Sequence, residues 1–332
     1  MSQMPPGKTV KEYNESMLID DSRLPLVVQA STEGTSLSTL LEAHRSDFEQ
    51  KLLEHGALLF RGFDCKSTED FDRISNAYSP NRIEYTYRST PRSSVADRIY
   101  TTTEYPAQHT IALHNENAYA RVWPLQLMFG CLLPSLTNGA TPLADMQQVT
   151  ASIDQAVVEE FAAKKVMYVR HYGEDVDIPW QTVFQTDNKD DVAKFCLENG
   201  IEYAWLDDDE ILQTRQICQG TALHPVLGKR VFFNQAHLFH VSNHGEEIAE
   251  EMISVFGADR LPRNAFFGDG SEIPSYMLEH IREAFSAHSR RFPWQAGDCL
   301  LIDNMQVAHG REPYTGPRKV LAALFNPHRD SI

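Results

Sequence analysis

Apolar residues recur at helical spacing through Leu37, Leu40, Leu41, Phe48 and Leu52, with His44 on the same face, and Gly56 follows them. The pattern predicts a single amphipathic helix that Gly56 closes in the left-handed conformation. Ala57-Leu-Leu-Phe-Arg61 reads next as a short buried strand. Ser67, with Asp70 three residues later, reads as the capped start of a second helix through Phe71 and Ile74. From about Tyr100 the texture changes to short β-prone or apolar runs divided by Pro or Gly: Thr101–Thr103, Ile111–Leu113, Leu125–Leu132 and Thr141–Ala144. A helical pattern through Ile153, Val157, Val158 and Phe161 follows, then a strand from Val166 to Tyr172. Residues 174–220 read as acidic and irregular or helical. Gly228-Lys229 predicts a turn into the strand Val231–Asn234. Helical periodicity marks Glu247–Phe256 and Tyr276–Phe285. Strands return at Cys299–Asp303, Val307–Gly310 and Lys319–Leu324.

Strands at both ends with helices between them predict a mainly β protein with α insertions, built on a closed or double-sheet β core. The irregular spacing of strands and helices argues against an all-parallel sheet. No linker, internal repeat or low-complexity tract divides the chain. One catalytic domain over residues 1–332 is expected, with an N-terminal helix-and-strand lead-in over 1–56 and a helical insertion over about 146–290.

Composition narrows the function. The 332 residues are 42% hydrophobic, enough for a large core at the upper limit of one domain. A formal net charge of −16 repels phosphate backbones and anionic membranes, so neither nucleic acid nor a membrane is an expected partner. The longest mostly apolar run, Leu125–Leu133, is too short to cross a bilayer, and Met1–Asp20 carries no apolar signal core. Cys65, Cys131, Cys196, Cys218 and Cys299 are dispersed without a C-x-x-C pair and read as reduced, mostly buried thiols. A cytoplasmic location is expected. One stretch runs against the global charge: Arg82, Arg88, Arg92 and Arg98 are opposed only by Glu84 and Asp97. It reads either as a solvated loop or as a local site for an anionic group. The phosphate-cradling G-x-G-x-x-G and G-x-x-x-x-G-K-[ST] patterns do not occur, which weakens nucleotide-cofactor readings.

The candidate chemistry centres on Leu113-His-Asn-Glu-Asn117. On a strand, positions two apart share a face, so His114 and Glu116 are able to grip one ion. A third ligand from a distant histidine would complete a 2-His-1-carboxylate set and leave adjacent positions open for substrate and O₂. His309, in Asp303-Asn-Met-Gln-Val-Ala-His-Gly-Arg311, sits at a strand end and is that candidate. Arg318 then enters the last apolar strand. Breaking a buried ion pair costs roughly 3–5 kcal/mol, so a guanidinium placed there needs an anionic partner. A planar dicarboxylate such as 2-oxoglutarate answers it with two parallel hydrogen bonds; an internal Asp or Glu is the alternative.

Several separated segments occur in order: Thr102-Thr-Glu-Tyr-Pro106, Leu113-His-Asn-Glu116, Asn138-Gly-Ala-Thr141-Pro-Leu-Ala-Asp145, Phe233-Asn-Gln-Ala-His-Leu-Phe239, His309-Gly-Arg311 and Gly316-Pro-Arg318. Over roughly residues 57–327 the chain resembles the taurine-dioxygenase superfamily, and within it the clavaminate-synthase-like branch that includes a syringomycin-pathway hydroxylase. The resemblance implies a double-stranded β-helix (jelly-roll) core flanked by helices, Fe(II) as the metal and 2-oxoglutarate as co-substrate. It assigns His114, Glu116 and His309 to iron. It assigns Thr141 and Arg318 to the distal carboxylate of 2-oxoglutarate; the neighbouring Lys319 is the alternative anchor, with Arg318 favoured by its forked guanidinium and Lys319 expected to face the other way on a strand. Most of the superfamily has Asp at the position of Glu116; the clavaminate-synthase branch commonly has Glu. A carboxylate there disfavours halogenation and leaves hydroxylation, desaturation or epoxidation. The implied partners are O₂ and a small amino-acid-like substrate of specialised metabolism, either free or tethered to an acyl or peptidyl carrier protein. Arg88 is the candidate for a substrate carboxylate, Glu104 and His237 for pocket contacts, and Asn115 for support between the ligands.

Two rival classes remain. A non-catalytic jelly-roll protein that binds a metal or ligand would have no reason to carry His114, Glu116, His309 and Arg318 together. A zinc hydrolase would need an H-E-x-x-H pattern, which does not occur. His237, His240 and His244 would hold zinc only from a continuous helix, and Gly245 and the preceding strand argue against one.

Overall fold

The computed structural model describes residues 12–19, 22–83, 94–96, 98–101, 105–173, 176–206 and 210–329. Arg88, Arg92, Asp97 and Glu104 lie outside the described residues.

The core is two facing sheets. In the larger, strands Ala57–Arg61, Cys299–Asp303, Val122–Leu133 and Lys319–Arg329 lie side by side. The outer strands Tyr13–Met17 and Leu26–Ala30 flank one edge, and Ile99–Thr101 and Ser94–Ala96 the other. All neighbours are antiparallel except Leu26–Ala30 with Ala57–Arg61. The smaller sheet has Val307–Arg311 between Ile111–His114 and Leu143–Asp145. Leu127, Phe129, Leu300, Ile302 and Ala322 of the large sheet pack against Leu143 and Val307 of the small one. Burying this apolar layer between two antiparallel faces is what makes a jelly roll stable.

The lead-in follows the pattern with one break. Gly56 closes the helix at φ 75°, its N–H reaching the Leu52 carbonyl. The run from Leu37 is, however, two helices, Leu37–Ala43 and Arg45–His55, parted at His44. Arg45, just past the break, donates to the carbonyls of Ala77 and Tyr78. Ser67 and Asp70 form the reciprocal cap of helix Thr68–Tyr78. The helical pattern through Val157, Val158 and Phe161 is helix Gln155–Lys164, capped by Asp154; Ile153 instead ends a separate preceding helix, Met146–Ser152, capped by Asp145.

Helices Trp180–Phe184 and Lys189–Asn199 fit the irregular-or-helical reading of residues 174–220, but the rest of the stretch departs from it. Glu202–Leu206 and Ile211–Cys218 are strands, and with Val166–Tyr172 and Arg263–Phe267 they form a four-stranded antiparallel sheet. The inward positions of Ile211–Cys218 are Leu212, Thr214, Gln216 and Cys218. Two of those four are polar, which hides the alternation a strand normally displays. Phe161, Phe232, Phe267 and Phe285 of the segment 146–290 share one apolar cluster with Trp123, Met305 and Ala308 of the core.

All five cysteines are free and buried. Among the described residues, no helix is long and apolar enough to cross a membrane.

Candidate metal centre and co-substrate pocket

Strand pairing brings the first two ligands together. Ile111–His114 runs antiparallel to Val307–Arg311 in a register that sets His114 opposite His309. Gly310 lets the strands approach: a Cβ there would stand 2.6 Å from the Ile111 carbonyl oxygen. Glu116 arrives differently from the sequence reading. The strand ends at His114, and Glu116 lies in the following turn. Shared strand-face geometry therefore does not set the H-x-E pair; the turn's own anchoring does.

That anchoring is a set of buried carboxamides. Asn304 Oδ1 accepts from the Glu116 N–H at 2.7 Å, and Asn304 Nδ2 donates to the Glu116 carbonyl at 2.9 Å and the Pro124 carbonyl at 2.8 Å. Gln235 Nε2 donates to the Asn115 carbonyl at 2.7 Å, and Gln219 Nε2 to the Ala118 carbonyl at 2.8 Å. Asp303 is fixed in turn by His224, whose Nε2 lies 2.8 Å from Asp303 Oδ2. His224 Nδ1 accepts from the N–H groups of Val226 and Leu227, so its proton sits on Nε2 and points at Asp303.

The result is a compact donor set. The imidazole rings of His114 and His309 are 4.5 Å apart between centroids, and His309 Nε2 is 3.8 Å from Glu116 Oε2. One ligand atom from each of His114, Glu116 and His309 falls within 4.8 Å of the others. Among the described residues this is the single such group of three. His114 Nδ1 lies 2.8 Å from the Ala112 carbonyl, which requires the proton on Nδ1 and leaves the Nε2 lone pair for a metal. Glu116 and His309 are buried, 2% and 5% exposed, and His309 leans on the Phe129 ring. Two imidazoles and one carboxylate closing on one point fit a first-row divalent ion such as iron.

Of the expected co-substrate residues, Thr141 neighbours the ligands through the small sheet. Thr141 is buried two residues before Leu143, the neighbour of His309 across the sheet, and its Oγ1 accepts from Trp294 Nε1 at 2.9 Å. Arg318 lies over the Tyr314 ring, and burial pulls its guanidinium down to about 10. Lys319 points to the other face, where its Nζ lies 3.4 Å from Thr68 Oγ1. Arg311, two residues after His309, donates to the carbonyls of Tyr105, Pro106 and His109 and so ties down the chain before the first ligand.

Other expected site residues sit elsewhere. Asn115 is 1% exposed and donates to the Asn304 carbonyl at 2.6 Å, so it belongs to the turn's anchoring rather than to a substrate surface. His237 is also 1% exposed, stacked at 4.7 Å on Phe285, with neither ring nitrogen in a hydrogen bond of ordinary geometry. Burial there, with Arg282 beside it and the Leu113 carbonyl opposing, pushes it down to about 3. Arg82 is buried against Asp72 at 2.6 Å, and Arg98 donates to the Arg82 carbonyl, so these two members of the arginine stretch are committed within the fold.

Sequence reasoning missed Asn304, Gln235 and Trp294. The available signal was Asp303-Asn304, a buried polar pair set between two wholly buried strands.

A double-sheet core that carries two histidines and a carboxylate around one point defines the class of non-haem iron oxygenases. The match to the family model for taurine catabolism dioxygenase TauD, TfdA family, over residues 21–324 shows that the chain belongs to that family of dioxygenases. It is 39% identical over 315 residues to the dapdiamide synthesis protein DdaC of Enterobacter agglomerans, covering 95% of each chain. It is 28% identical over 298 residues to a clavaminate synthase-like protein of Arabidopsis thaliana, covering 86% of each. The fold resembles PvcB of Pseudomonas aeruginosa, with TM-score 0.56 and 14% identity over 97% of this chain and 94% of that one.

Proposed function

We propose that the chain is an Fe(II)- and 2-oxoglutarate-dependent oxygenase that hydroxylates a C–H bond in a small amino-acid-like substrate, working as a single domain in the cytoplasm. One observation carries the reading: His114, Glu116 and His309 bring their ligand atoms within 4.8 Å of one another from opposite ends of the chain. With iron, 2-oxoglutarate and O₂ bound, such a centre converts C–H to C–OH while 2-oxoglutarate leaves as succinate and CO₂.

The chain's own residues supply position. His114 presents Nε2 because Ala112 takes the Nδ1 proton. Arg318 and the Thr141 hydroxyl bind the distal carboxylate of 2-oxoglutarate, the half-buried guanidinium lying where a charge-assisted hydrogen bond is worth more than in water. Glu116 fills the position that a halide would need, which favours hydroxylation, or its desaturation and epoxidation variants, over halogenation. Arg88 and Glu104 remain the proposed substrate contacts. The amino-acid-like substrate is supported by the kinship with DdaC, a protein of dapdiamide synthesis. Burial of Arg82 against Asp72 weakens the arginine stretch as a dock for an acidic carrier, which favours a free substrate. Five buried free thiols fit a reducing compartment.

Oxygen-free protein given Fe(II) and 2-oxoglutarate should develop a weak visible charge-transfer band, and His114→Ala should abolish it. Under air, a panel of free amino acids and carrier-bound aminoacyl groups should identify a substrate by succinate release. A wild-type sample with no band and no succinate across the panel would overturn the reading.

A further inference from the structure

We infer that Asn304 is a positioning residue that holds the Glu116 backbone and so places its side chain for the metal; the inference rests on the assignment of His114, Glu116 and His309 as ligands. One side chain satisfies both backbone groups of Glu116, 188 residues away in sequence: Asn304 Oδ1 takes its N–H and Asn304 Nδ2 gives to its carbonyl. The second Nδ2 hydrogen goes to the Pro124 carbonyl, and the Asn304 carbonyl accepts from Asn115 Nδ2. The Asn304 N–H reaches the Leu125 carbonyl at 2.9 Å, so the clamp is bolted to the central strand of the large sheet. Asn304 is fully buried.

Glutamate makes such a clamp necessary. Its side chain has one more rotatable bond than aspartate, and each free torsion spreads the carboxylate over more positions. Glu116 lies beyond the end of its strand, so no ladder hydrogen bonds hold its backbone. With both its amide and its carbonyl gripped by Asn304, only the side-chain torsions remain for the metal to order. No other residue type does this: the site needs one acceptor and two donors on a single short planar group. Asp would face two carbonyl oxygens with oxygen, and Ser or Ala would leave a buried N–H and two carbonyls unsatisfied.

Cobalt(II) reports both affinity and ligand geometry without turnover. Full-length Asn304→Asp and Asn304→Ser should bind Co(II) roughly 10- to 100-fold more weakly than wild type, the range for lost supports behind metal ligands. Their visible d–d bands should shift in position or intensity, which a general loss of stability would not produce. Asn264→Ala serves as the control: it removes a buried amide of the four-stranded sheet whose Oδ1 accepts from the Val241 and Ala265 N–H groups, and should leave affinity and bands unchanged. Should neither Asn304 variant fold, Asn115→Ala removes only the donor to the Asn304 carbonyl and should show the same band shift in smaller degree. Wild-type affinity and bands in whichever of these variants folds would overturn the inference. If instead wild type binds Co(II) no better than His114→Ala, the ligand assignment itself fails.

Discussion

Trp294 Nε1 donates a hydrogen bond of 2.9 Å to Thr141 Oγ1, and both residues are buried. A hydroxyl that accepts from an indole N–H has its own proton free to turn elsewhere. Trp294 thereby leaves the Thr141 hydroxyl able to donate, as its proposed role at the 2-oxoglutarate carboxylate requires. Trp294→Phe keeps most of the ring and removes the N–H. It should weaken 2-oxoglutarate binding by about 2- to 10-fold, the worth of one neutral hydrogen bond of roughly 0.5–1.5 kcal/mol. Calorimetric titration of 2-oxoglutarate into the metal-loaded protein checks this; unchanged affinity with intact folding would remove Trp294 from the site.

Arg318 and Lys319 are adjacent cations with opposite assignments. Arg318 is half-buried over Tyr314, whereas Lys319 is exposed beside Thr68. Arg318→Ala should raise the KM for 2-oxoglutarate roughly 10- to 150-fold, the equivalent of about 1.5–3 kcal/mol for charge-assisted hydrogen bonds. Lys319→Ala should change it less than twofold. A reversal of the two effects would move the co-substrate anchor to Lys319.

Gly310 is a packing requirement beside a ligand. A Cβ at this position meets the Ile111 carbonyl oxygen at 2.6 Å and the Ala112 carbonyl carbon at 3.3 Å, both backbone atoms that cannot swing aside. Gly310→Ala should destabilise the protein by roughly 1–3 kcal/mol and part the His114 and His309 strands. Thermal unfolding should show a Tm lower by several degrees, with metal binding weakened in the folded protein. A variant that unfolds like wild type would show that the strands have room to spare.

Acid should destabilise the fold through His240. Burial, with Arg282 nearby, pushes its imidazole down to about 4, and its Nδ1 accepts from the Ser242 N–H at 3.1 Å. The folded state therefore keeps it neutral while the unfolded chain takes up a proton near pH 6.5. The stabilisation is complete above pH 6.5 and is lost as pH falls from there through about 4. Denaturant titrations at pH 7 and pH 5 should show His240→Asn losing about 1–2 kcal/mol less than wild type between them. Equal losses in the two proteins would assign the acid sensitivity to other groups.

The amino-acid sequence by itself determined the local elements that rest on near neighbours. The Ser67–Asp70 cap, the Gly56 closure and the long apolar strands follow from short-range chemistry: a side chain bonding a backbone group three residues away, or a residue type that tolerates positive φ. It also named the three ligand candidates, because His114 and Glu116 lie close together and His309 precedes a glycine in an apolar run. Tertiary structure alone decided how they meet. The His114–His309 register is a pairing of distant strands, and Glu116 is set by the Asn304 side chain and not by strand periodicity. The inner sheet position of Gln216, the burial of Arg82 against Asp72 and the Trp294–Thr141 bond were likewise out of reach. In each case a polar side chain takes its role from a partner far away in sequence, and only the folded chain supplies that partner.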